Sequence, residues 1–141
     1  MISADDELGR ILREARTIAV VGLSADPEKP SHEVAAYLQA QGYRIIPVNP
    51  RGGVILGETV YADLRAVPEP IDIVDVFRPA GACLDIAREA VAVRAKVLWL
   101  QLGIVNVEAA ALARAAGLAV VMDRCTLREH RRRPNHLSRN T

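Results

Sequence analysis

Residues 17–31, TIAVVGLSADPEKPS, constrain the architecture more than any other stretch of this chain. A short β-branched run ends at Gly22, and a small-residue loop leads directly into a helix opened by Pro30 and Ser31. A buried strand feeding a helix in this way belongs to a βαβ unit and a parallel sheet. The strand's carboxyl end then faces backbone N–H groups and the positive end of the helix, an arrangement that suits phosphate. The loop departs from the dinucleotide fingerprint, however. G-x-G-x-x-G requires glycines at positions 24 and 27, which hold Ser24 and Pro27.

The same alternation runs through the rest of the chain. Leu8, Ile11, Leu12 and Ala15 recur at helical spacing over residues 3–16, with Ser3 as N-cap. Further helices are expected over 31–41, 80–93 and 106–116, with a short helical piece at 62–66. Buried strands are expected over 17–21, 43–48, 71–77, 96–100 and 118–122. Neither an internal repeat nor a linker interrupts the pattern. The expectation is α/β: a single Rossmann-like three-layer domain over residues 1–127, with a five-stranded parallel sheet in the order 3-2-1-4-5. Residues 128–141 are expected to form a basic C-terminal tail.

That order puts a crevice between the first and fourth strands, where the winding reverses. Five strand-end sets are expected on one rim: Gly22-Leu23-Ser24, Asn49-Pro50-Arg51, Phe77-Arg78-Pro79, Gln101-Leu102-Gly103 and Asp123-Arg124-Cys125.

Composition narrows the function classes. Half of the 141 residues are hydrophobic, and no apolar run reaches membrane-spanning length. The first residues are acidic where a signal peptide would be basic. Cys83 and Cys125 form neither a disulfide framework nor a C-x-x-C metal motif. A cytoplasmic protein with no metal site and no membrane partner is expected. The net charge of +1 conceals a cluster at the end, Arg128, Arg131, Arg132, Arg133 and Arg139 against Glu129. The body lacks the basic surface and stacking aromatics of a nucleic-acid reader, so a solvated tail is the expectation.

Chemistry at the expected rim favours a phosphorylated ligand. Gly22 permits close backbone approach, which a β-branched residue would block, and binding is expected to depend on it more than stability. Ser24 offers a hydroxyl beside Ala25, while Lys29, Pro30 and Ser31 open the positive helix end. At the second strand's end, Asn49-Pro50-Arg51 supplies a guanidinium where an NAD enzyme has a carboxylate. A phosphorylated ribose follows, as in NADP or coenzyme A. No catalytic set stands out: His32, His130, His136 and Cys125 have no placed partner, and no triad or carboxylate dyad is present.

Four stretches in order, AVVGLSADPEKPSHEVAAYL, IIPVNPRGGVILGETVYADLRAVPEPIDIVDVFRP, VLWLQLGI and VVMDRC, resemble the small stand-alone CoA-binding proteins. These are related to the amino-terminal CoA-binding domain of the succinyl-CoA synthetase α subunit. The resemblance covers nearly all of residues 10–130. It implies coenzyme A or an acyl-CoA as ligand, with phosphates at residues 24–27. Arg51 would stand where the synthetase has a lysine, and Leu100, Gln101 and Leu102 along the pantetheine arm. The synthetase's loop glycine and glutamine are replaced by Ala25 and Pro27, and its phosphohistidine domain has no counterpart in the 141 residues. The resemblance therefore implies a binding module rather than an enzyme. An NADP-dependent oxidoreductase or nucleotide-sensing domain is the alternative, and a subunit completing an acyl-CoA ligase with a partner enzyme is another.

Overall fold

The structure, a computed structural model, describes residues 4–133. The elements in chain order are α1 (Ala4–Glu14), β1 (Thr17–Val21), α2 (Pro30–Ala40), β2 (Arg44–Val48), β3 (Val54–Ile55) and β4 (Glu58–Thr59). They continue with β5 (Ile73–Val76), α3 (Cys83–Ala92), β6 (Val97–Leu100), α4 (Val107–Ala115), β7 (Ala119–Val121) and α5 (Thr126–Arg131). Short 3-10 turns at Leu64–Ala66 and Ala80–Ala82 precede β5 and α3. The expected cap Ser3 lies outside the described residues. Asn106 caps α4 as its sequence position suggests, its Oδ1 accepting the Ala109 N–H at 2.9 Å.

The central sheet is five-stranded and wholly parallel, in the order β2-β1-β5-β6-β7. Its layers match expectation, but its order differs from the expected 3-2-1-4-5. The strand expected beyond β2, which became β5, instead pairs with β1 on the opposite side. Pro47 gives the physical reason. Lacking an N–H, proline suits an edge strand rather than an interior one, and β2 carrying Pro47 is the edge. The carboxylate of Asp72, just before β5, then accepts the N–H groups of Arg16 (2.8 Å) and Thr17 (3.0 Å), holding β5 beside β1. The reversal of winding accordingly lies between β1 and β5, not between the first and fourth strands.

Two cores flank the sheet. Leu8, Ile11 and Leu12 of α1, Val34 and Leu38 of α2 and Leu127 of α5 pack on Ile18, Val20, Ile73 and Trp99. On the other face, Cys83, Ile86, Ala87 and Ala90 of α3 and Ala109 and Ala113 of α4 pack on Ala19, Val74, Val76 and Leu98. Residues of β5 alternate between the two, as a strand covered on both faces must. No helix among the described residues is long and apolar enough to cross a membrane.

The expected boundary at residue 127 falls inside α5. Glu129 and His130 are buried, and the Glu129 carboxylate pairs with Arg124, Arg132 and Arg133 at 3.1–3.6 Å. Residues 128–133 therefore belong to the folded body, because one buried carboxylate gathers two of the tail arginines, Arg132 and Arg133, together with Arg124. Arg139 and His136 lie outside the described residues.

Candidate functional site

At the carboxyl ends of β1, β2 and β5 the chain encloses a cavity of about 780 Å³. Gly22 turns the chain with φ of +88°, and its N–H donates to Val48 O at 2.9 Å, closing the floor between β1 and β2. Asn49 braces the same junction. Its Nδ2 donates to Leu23 O at 2.9 Å, and its Oδ1 accepts the Arg51 N–H at 2.8 Å. The Ser24 hydroxyl accepts the Asp26 N–H at 3.1 Å, while the Ser24 N–H donates to the Ser31 hydroxyl at 3.0 Å. The loop is thus tied back onto the first turn of α2.

The cavity holds charges of both signs, and their pairing differs. Of its four acidic residues, Asp26 accepts the Glu28 N–H, Asp63 the Ala66 N–H, Glu89 the Leu64 N–H, and Asp85 pairs with Arg88. Its three cationic residues, Lys29, Arg51 and Arg78, have no ion pair among the described residues. Each wall carboxylate has a local partner but only Asp85 has a cationic one among the described residues, while Lys29, Arg51 and Arg78 are placed to meet an anion.

The expected rim residues divide between two cavities. Gly22, Ser24, Ala25, Lys29, Asn49, Pro50, Arg51 and Arg78 line the first. Pro30, Phe77, Gln101, Leu102 and Cys125 line a second, of about 580 Å³, with Glu33, Val34, Ile104, Leu127, Arg128 and Arg131. Leu23 and Ser31 line neither. Leu23 is fully buried among the core side chains, and Ser31 is a buried brace for Ser24. Pro79, Asp123 and Arg124 also line neither cavity. Successive residues beyond β5 diverge because strand side chains alternate, so Phe77 and Arg78 face different cavities.

The second cavity has apolar walls interrupted by Glu33, Arg128 and Arg131, and a polar floor. Gln101 is 4% exposed, and its Nε2 donates to Asp75 Oδ1 and to Thr126 Oγ1, the latter at 2.9 Å. Thr126 Oγ1 in turn donates to Asp75 Oδ2 at 3.1 Å. Burial pushes the Asp75 carboxyl up to about 7, against the opposing pull of the Gln101 and Thr126 hydrogen bonds. At the mouth, Arg131 lies over the Tyr37 ring at 5.3 Å.

The model of a family described as a CoA binding domain matches residues 16–131. The chain belongs to that family. An uncharacterized protein of Bacillus subtilis, YneT, is 42% identical over 119 residues, covering 84% of this chain and 88% of its own. A solved structure from Thermus thermophilus superposes with a TM-score of 0.88 at 46% identity, over 92% of this chain and 98% of that one. The α subunit of an ADP-forming acetate–CoA ligase of Pyrococcus furiosus is 35% identical over 65 residues, 45% of this chain and only 14% of the ligase subunit.

In this CoA binding domain, sequence reasoning missed the acidic wall residues Asp63, Asp85 and Glu89, and the floor carboxylate Asp75. Asp75 left a signal: it interrupts the apolar strand IVDV at a position facing the core. Asp63 caps the turn at Leu64–Ala66 that precedes β5, and Asp85 and Glu89 come from α3, which reaches the cavity through the placement of β5 beside β1. That placement was the part of the strand order expected differently.

Proposed function

We propose that this CoA binding domain holds coenzyme A or an acyl-CoA along the carboxyl edge of its sheet. The phosphates lie in the first cavity near Gly22, Ser24 and Ala25, with Lys29, Arg51 and Arg78 as counter-charges. The pantetheine arm crosses the β5 end at Phe77 and enters the second cavity beside Gln101 and Leu102. The observation that carries the reading is the gathering of Lys29, Arg51 and Arg78, none in an ion pair among the described residues, on one cavity at the carboxyl edge of the sheet beside Gly22 and Ser24. A multiply phosphorylated ligand supplies the counter-charge that these three cations lack, and the absence of an acidic residue in Asn49-Pro50-Arg51 favours a phosphorylated ribose.

Alone, the chain is a binding module, and acyl chemistry on the CoA thiol belongs to a partner enzyme. Similarity to a protein named as a ligase α subunit supports such a partner. Calorimetry with CoA, dephospho-CoA, NADP and NAD tests the ligand. CoA is expected to bind tightest, with dephospho-CoA weaker by about 1.5–3 kcal/mol through loss of a charge-assisted contact to Arg51. NADP binding tighter than CoA would transfer the site to the nucleotide-dependent reading.

A further inference from the structure

A primary carboxamide has two N–H donors and one oxygen acceptor. Both donors of Gln101 are accounted for inside the protein, one by Asp75 Oδ1 and the other by Thr126 Oγ1. Thr126 spends its own proton on Asp75 Oδ2 at 3.1 Å, so its oxygen is left to accept. Ionised Asp75 can only accept, and its two oxygens set the direction of every hydrogen bond in the cluster. The Gln101 oxygen accepts no hydrogen bond among the described residues, and Gln101 lines the second cavity.

From this geometry we infer that Gln101 Oε1 is an acceptor presented to an N–H of the ligand, and that Asp75 is the positioning residue whose charge state maintains that presentation. The inference rests on the proposed binding of CoA, whose pantetheine arm carries two secondary amides. It adds a polarity to the cavity: the floor takes a hydrogen-bond donor. A protonated Asp75 has a proton of its own to give. Turning the Gln101 carboxamide by half a turn lets Oε1 accept that proton and directs N–H groups at the ligand. The arm's amide N–H then meets a donor, and its contact is lost.

The surroundings of Asp75 leave the cluster to control the switch. Its register neighbours Val20 and Trp99 are apolar members of the same core. Helices α2 and α5, which pack on this face with α1, carry His32, Glu33, Arg128, Glu129, His130 and Arg131. Glu129 is held by three arginines, and Tyr37 Oη lies 2.8 Å from His130 Nδ1. The shift of Asp75 comes from burial, opposed by Gln101 and Thr126. Helix α1 contributes Leu8, Ile11 and Leu12 to that core, its arginines and glutamates lying on other positions.

The test is calorimetry of the full chain with CoA and with adenosine 3′,5′-bisphosphate, which lacks the arm, between pH 5.5 and 8.5. The ratio of the two dissociation constants isolates the arm. In the native protein this ratio is expected to favour CoA at least tenfold more at pH 8.5 than at pH 5.5. In Asp75→Asn it is expected to be low and flat, since the amide keeps its donor at every pH. Titration of the ligands themselves is common to both proteins and cancels between them. Thr126→Val, which removes one acceptor for Gln101, is expected to lower the ratio at pH 8.5; with the native pH profile it decides the question if Asp75→Asn fails to fold. A native ratio independent of pH, or an Asp75→Asn profile like the native one, would overturn the inference while leaving nucleotide binding intact. Failure of both ligands to bind at any pH would overturn the binding reading and this inference together.

Discussion

The carbonyl oxygen of Phe77 stands 2.9 Å from the position that a Cβ on Gly22 would occupy. Phe77 C lies 3.2 Å from the same position and Arg78 Cδ 3.0 Å, so backbone as well as side chain would have to move. Gly22 also has φ of +88°, in the region that side chains resist. The glycine therefore lets the β1 loop pass over the end of β5, a requirement of the fold before any ligand arrives. Substitution here thus carries a stability cost beside any effect on binding. Gly22→Ala is expected to destabilise the protein by about 2–4 kcal/mol in urea denaturation. A change below about 0.5 kcal/mol would show that the β5 end yields freely.

Ser31 is expected to act on the site through Ser24 rather than by touching phosphate. Its buried hydroxyl accepts the Ser24 N–H at 3.0 Å and anchors the loop to α2. Ser31→Ala should cost about 1 kcal/mol of stability, the usual contribution of one hydrogen bond. CoA affinity should fall several-fold as the loop loosens, and Ser31→Thr, which retains the hydroxyl, should restore most of it. Unchanged affinity in Ser31→Ala, measured by calorimetry, would separate the brace from binding.

Much of this organisation was legible from local pattern, and its failures have local physical causes. The alternation of apolar runs and helical spacing located the five central strands, because both faces of a parallel sheet must be buried. Strand order was misread at Pro47, although a proline within a strand already argues for an edge. The hairpin of β3 and β4 is only two residues on each side and turns through Leu56 and Gly57, both at positive φ. No periodicity can announce so short a pairing. Strand-end residues were expected on one rim, but alternation sends Phe77 and Arg78 to different cavities, and Leu23, Pro79, Asp123 and Arg124 line neither. The role of Ser31 as a brace depends on a contact across seven residues of loop, which its preference for helix starts does not reveal. Glu129 shows the opposite case: a charge tally suggests a free basic tail, whereas its burial draws Arg132 and Arg133 of that tail into the body.

That convergence on Glu129 is expected to be structural. The carboxylate is 8% exposed, with Arg133 Nη1 at 3.1 Å and Arg132 and Arg124 farther out at 3.5 and 3.6 Å. Arg133 also donates to Glu129 O at 2.7 Å, closing the end of α5. Removing the buried carboxylate takes one counter-charge from Arg124, Arg132 and Arg133 and leaves a gap in the packing, so Glu129→Ala should destabilise by about 1–3 kcal/mol. The loss should shrink in high salt, which screens the exposed arginines. Denaturation at two ionic strengths checks both statements, and a salt-independent loss would assign the effect to packing alone.

Asp75 is expected to shape stability as well as recognition. Its carboxyl titrates near 7 in the folded chain and near 3.8 when unfolded, because burial disfavours the charged form. Between these values the folded state holds more protons than the unfolded state, so stability falls as pH rises. The favourable contribution of this group is fully present below the unfolded value and is lost as pH rises through about 7. Asp75→Asn carries no such titration. Relative to the native chain it should therefore gain stability from pH 4.5 to pH 7.5, by about 2–4 kcal/mol, and remain level above that. Urea denaturation of both proteins across this range measures the difference. A constant difference would mean that Asp75 keeps its ordinary titration in the fold, and the opposite slope would mean that its hydrogen bonds from Gln101 and Thr126 outweigh the cost of burial.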